Sequence, residues 1–105
     1  MYKVVVIIPV SDAENMRQAI GDVGGGKIGN YSHCSFSVRG TGRFKPLPGA
    51  KPAIGEVGKL EEVEEERIEF VCADEALKAV LEVIQKNHPY EEPAVDVLKL
   101  ADMGQ

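Results

Sequence analysis

The stretch "EFVCADEALKAVLEVIQKNHPYEEPAVDV", residues 69–97, changes its hydrophobic period twice. Phe70, Val71 and Cys72 close an apolar, strand-like run, and Asp74 is a residue type that caps helices. Ala76, Leu77, Val80, Leu81 and Ile84 then recur at three- and four-residue spacing, which predicts one buried stripe on a helix. Asn87 ends that helix, Pro89 drives His88 toward extended backbone, and Ala94–Leu100 reads as a second strand. The stretch is therefore a strand–helix–strand unit.

The first part of the chain has the same plan. Tyr2–Val10 is a nearly continuous β-branched run, as expected of a strand buried on both faces. Ser11-Asp12-Ala13-Glu14 fits a capping box, in which Ser11 and Glu14 satisfy each other's amides. Met16, Ala19, Ile20 and Val23 form the inner face of a first helix, and Gly24 suits its left-handed end. From Tyr31 to Arg39 apolar and polar residues alternate, which predicts a half-buried strand with Cys34, Phe36 and Val38 on one face. Gly40–Gly58 is too rich in glycine and proline for a regular element and reads as an ordered, functional loop. Leu60–Cys72 reads as a long strand whose charged first half projects into solvent or against a neighbouring subunit.

The order is β-α-β-β-α-β within a single domain, residues 1–105. It predicts an α+β ferredoxin-like sandwich: an antiparallel sheet with both helices on one face.

Composition narrows the function. A chain of 105 residues, 44% hydrophobic, builds one core. The net charge of −5, with six glutamates between Glu61 and Glu69, argues against a nucleic-acid partner. No apolar run reaches the length of a membrane span, and "YKVVVIIPV" is too short, and lacks the cleavage site, for a signal peptide. Cys34 and Cys72 are far apart and in no metal-type spacing, so free thiols in a reducing cytoplasm are expected. "GGGKIG", residues 24–29, matches a dinucleotide fingerprint only in letters. Its glycines close a helix instead of opening one, so no helix amino end meets a phosphate.

Among residues suited to chemistry, His33 and Cys34 would fall on opposite faces of a strand. His88 and Glu91 flank Pro89-Tyr90 and are the candidate ligands for a divalent metal such as zinc, although two ligands do not complete a zinc shell. A structural role for His88 at the helix end is the alternative. Glu91 and Glu92 read as an exposed turn rim, and "EEVEEER" as a solvated strand face.

"GKIGNYSHCSFSVRGTGRFKPLPGAKPAIGEVGKLEEVEEERIE" and "HPYEEPAVDV" together resemble the inserted domain of YqfO-type proteins of the Nif-three-like family, the GTP cyclohydrolase 1 type 2 homologues. The resemblance runs from Tyr2 to about Leu100 and departs at Val95, where the family has an aromatic residue. It implies a PII/CutA-like domain that assembles as a homotrimer and acts as a binding or regulatory module. The metal ligands of that family's dimetal core lie outside the insert, so the full-length family's hydrolase activity is not carried over; a metal-dependent hydrolase of a nucleotide or similar small molecule stands as the rival reading. A PII-like sensor needs basic residues near a cleft between subunits, and Arg43, Lys45 and Lys51 in the long loop are the candidate ligand contacts.

Overall fold

The computed structural model describes residues 1–101. Strand β1 (Tyr2–Pro9) leads into helix α1 (Val10–Asp22). Strands β2 (Phe36–Phe44) and β3 (Glu61–Cys72) follow, then a 3-10 turn (Asp74–Ala76), helix α2 (Leu77–Asn87) and strand β4 (Ala94–Lys99). The four strands form one antiparallel sheet in the order β2-β3-β1-β4. Thus β1-α1-β2 and β3-α2-β4 are interleaved crossovers that start from antiparallel strands and move in opposite directions. Right-handed crossovers of that kind put both helices on the same face.

The core lies between that face and the helices. Val4, Val6 and Ile8 of β1 and Ile68, Phe70 and Cys72 of β3 meet Ala13, Met16 and Ile20 of α1 and Val80 and Ile84 of α2. Burial lifts the Cys72 thiol above its ordinary pKa, so it packs as a small apolar group.

The other face is open, which corrects the reading of β1 as buried on both sides. Val5 and Ile7 are only half-buried, and the register places them in line with Phe36, Val38, Val71 and Leu98. Of these, Phe36 is 65% and Leu98 51% exposed, so β2 is not the half-buried strand that its alternation suggests.

Several boundaries also differ. Helix α1 begins at Val10 with Pro9 at its cap position, and no side chain caps it. Ser11, already inside the first turn, cannot adopt the non-helical backbone that a cap requires, and Glu14 pairs with Arg17 at 3.0 Å instead. Asp74 likewise makes no cap bond to α2; its carboxylate accepts from the amino group of Met1. The other end of α1 follows expectation: Gly24 (φ 102°) donates to Gly21 O and Gly25 N to Ile20 O, the paired bonds of a Schellman ending.

Residues 31–35 are not strand. Ile28 and Tyr31 exchange two backbone bonds in a tight turn, and His33 takes a left-handed φ of 60°. Conversely Gly40–Phe44, expected to be loop, continues β2 as far as Glu61 of β3. Ladder bonds are made by backbone, so a partner strand overrides the weak strand propensity of glycine. Because β1 ends opposite Glu65, Glu61–Glu64 and Thr41–Phe44 form a ribbon that projects beyond the sheet. The molecule is accordingly elongated, 49 × 23 × 22 Å.

Candidate functional site

At the root of the ribbon, on the open face, the long loop returns against the segment that follows α2. A cleft of about 460 Å³ opens there, lined by Ile7, Phe44, Pro46, Pro52, Ile54 and Tyr90, with Glu65 among them. The loop is fixed by its own backbone: Gly58 N donates to Pro46 O (2.8 Å) and Ala50 N to Leu47 O (3.0 Å). Lys51 N also donates to Glu91 Oε1 at 3.2 Å, which ties the loop to the 90–94 segment.

His88 anchors that segment. It follows Ile84, whose carbonyl accepts its amide at 2.9 Å, and Pro89 turns it to extended backbone (φ −83°, ψ 133°). The β1–β4 ladder stops at the Ile7–Ala94 pair, and there the imidazole takes over, its Nε2 lying 2.7 Å from Ile7 O. Nδ1 lies 3.2 Å from the Tyr90 amide, which can only donate. Nδ1 is therefore the acceptor and Nε2 carries the proton. Both ring nitrogens are engaged within the chain, leaving no lone pair for a metal. Of the two expected metal ligands, His88 is thus an 8%-exposed structural donor, while Glu91 is exposed and bonded to the loop. Among the described residues, no group of three or more His, Cys, Asp or Glu side chains is placed to hold a metal ion.

Tyr90 is the pivot. Its ring packs on His88 (centroids 5.0 Å apart) and on Phe44 (5.8 Å), and its hydroxyl donates to Glu65 Oε2 at 2.8 Å. Burial, and then the bond to Glu65, hold the phenol protonated far above its ordinary pKa, so Tyr90 stays a donor. Glu65 is only 6% exposed, and Glu66, on the opposite face, 7%. This corrects the reading of "EEVEEER" as a solvated face. Glu66 is neutralised by Arg17, which also bonds Glu14 and Ser37. Hydrogen bonding to Glu14, and its pairing with Glu66, raise the guanidinium pKa against the opposing effect of burial. Glu65 has no such cation: among the described residues, its hydrogen-bond partner is Tyr90.

The expected basic cluster is brought together only in part. Arg43 and Lys45 line the cleft, both exposed, and Arg43 is held 3.3 Å from Glu62. The side chain of Lys51 is not part of the wall. Glu65 and Tyr90, the groups at the centre, were not singled out by the sequence. The available signal was Gly42: a Cβ there would overlap Glu65 Oε1, so the glycine keeps room for a buried carboxylate. Away from the cleft, His33 fills the niche left by Gly21 and lies 3.0 Å from Asp22 and 2.9 Å from Ser32 Oγ.

No family model matches the chain. It is 46% identical over all its 105 residues to a GTP cyclohydrolase 1 type 2 homolog of Halalkalibacterium halodurans, of which it covers 28%. A crystal structure of a Bacillus cereus protein related to NIF3 superposes with a TM-score of 0.83 at 48% identity, over 96% of this chain and 26% of that one. CutA1 from Pyrococcus horikoshii superposes with a TM-score of 0.71 at 18% identity, over 100% of this chain and 88% of that one, a likeness of fold alone. The chain thus spans little more than a quarter of the curated relatives it matches, and it is homologous to the PII/CutA-like region of the NIF3-related GTP cyclohydrolase 1 type 2 homologues.

Proposed function

We propose that this domain is a PII/CutA-like binding module that works as a homotrimer in the cytoplasm. Copies cover one another's open sheet face, and the cleft at the ribbon root takes a small ligand. The observation that carries the assembly is the open face itself, where Val5, Ile7, Phe36, Val38, Val71 and Leu98 share one side of the sheet without helices above them. Lys3, Arg67, Glu69 and Asp96 share that side, yet Phe36 and Leu98 stay more than half exposed, an apolar surface of the kind that marks an interaction site. Closed symmetry covers such a face in every copy, and the projecting ribbon gives each subunit an arm with which to reach its neighbour. In this reading Arg43 and Lys45 stand in the wall of the cleft, with Arg43 held by Glu62. The free thiols of Cys34 and Cys72 fit a reducing compartment.

Sedimentation equilibrium tests the reading. A mass three times that of the chain at micromolar concentration is expected. Phe36→Asp with Leu98→Asp should reduce it to one chain mass with the fold retained. A wild-type monomer at that concentration overturns the assembly.

A further inference from the structure

We propose that the cleft selects a small molecule carrying a protonated amine on a compact apolar body, with the ammonium seated against Glu65. This deepens the preceding reading, because it rests on the cleft being the ligand site.

Four observations converge on a cation. First, Glu65 is a carboxylate withdrawn almost wholly from water and supported by a single neutral donor, the Tyr90 hydroxyl on Oε2. A buried carboxylate is stabilised by an opposite charge, and Glu66 next to it has one in Arg17 while Glu65 has none among the described residues. Second, Oε1 packs over Gly42, where a Cβ would overlap it, and among the described residues the hydrogen bond to this carboxylate falls on Oε2, so Oε1 keeps acceptor capacity for a donor from the cleft. Third, the aromatic rings of Phe44 and Tyr90 both line the cleft, 5.8 Å apart and tilted by 57°. Aromatic faces attract ammonium groups and give nothing to anions. Fourth, Glu91 and Glu92 stand with Glu65 around the cleft, against Arg43, already paired with Glu62, and Lys45. An anion entering here would meet three carboxylates. The remaining wall, Pro46, Pro52, Ala53, Ile54 and Ala94, offers apolar surface to the body of the ligand.

The test is an NMR titration of the full, isotope-labelled chain with three probes of one shape: 2-phenylethylammonium, 2-phenylethanol and 3-phenylpropionate. The ammonium should shift the amides of Gly42, Phe44, Glu65 and Tyr90 and bind at least about ten-fold more tightly than the alcohol, with the carboxylate weakest. Glu65→Gln, which keeps an acceptor for Tyr90, should weaken the ammonium by about ten- to a hundred-fold and leave the alcohol unchanged. Preference for the carboxylate at the same amides would overturn the cation reading and leave the cleft as a ligand site. If no probe moves those amides and Glu65→Gln leaves the sedimenting mass unchanged, both readings fall. If Glu65→Gln alters the sedimenting mass while the probes leave the cleft untouched, the cation is a lysine or arginine of a second copy, and the free-ligand proposal is overturned. The ranking of the probes on the unmodified chain decides the matter even should the variant fail to fold.

Discussion

His88→Ala isolates the residue that joins the end of α2 to the end of the β1–β4 ladder. Truncation removes the donor to Ile7 O and leaves a buried carbonyl unpaired, which costs about 1–3 kcal/mol. It also removes the acceptor for the Tyr90 amide, about 1 kcal/mol, and the ring surface packed on Tyr90. A total of about 3 kcal/mol is expected, at the upper end of ordinary single substitutions. For a domain of this size that lowers Tm by roughly 12–20 °C. His88→Gln, whose amide nitrogen can reach Ile7 O, should recover about 1 kcal/mol of the loss. The assay is urea unfolding followed by circular dichroism, at one fixed protein concentration so that any self-association contributes equally to both chains. The melts are run with zinc and with chelator. A structural donor predicts the same loss in both. A loss below about 0.5 kcal/mol would refute the structural argument, as would zinc raising the Tm of the unmodified chain but not that of the variant.

Two further outcomes follow from the charged pairs. Hydrogen bonds from His33, and then from Gln18, hold the Asp22 carboxyl below its ordinary pKa of 3.8. A depressed folded-state pKa stabilises the fold above the unfolded value and loses that contribution as pH falls through the folded one. NMR titration of Asp22 should therefore show a midpoint below 3.8 that returns toward it in His33→Ala; an unchanged midpoint would disprove the coupling. Arg17→Met should destabilise the domain by about 2 kcal/mol, because Glu66 is then left buried without its cation, less than for a fully buried pair since Arg17 is partly exposed. The double variant Arg17→Met with Glu66→Met should regain most of that loss in urea unfolding, and failure to do so would show that the pair matters for more than charge balance.

The sequence determined the order of elements, because period is a local property. The 3.6-residue stripes of α1 and α2, the β-branched run of β1 and the apolar end of β3 are each set by neighbours in the chain. Gly24 shows the same thing at one position: only the backbone of its own helix end is involved in its left-handed turn. What the tertiary structure decided is what depends on distant partners. Gly40–Phe44 became strand because Glu61–Glu65 offered a ladder, which no local propensity records. Ser11 fell inside the first turn behind Pro9, and the Asp74 carboxylate accepts from Met1 instead of capping α2. Glu65 and Glu66 were indistinguishable in an acidic run. Strand alternation then sent one toward Arg17 and the other toward Tyr90, residues 49 and 25 positions away. A motif such as "HPYEEP" marks where the chain must bend, since proline and the helix end are local constraints. That its histidine completes a sheet, and that its tyrosine holds a buried carboxylate in a cleft, follows only once the sheet brings Ile7 and Glu65 beside it.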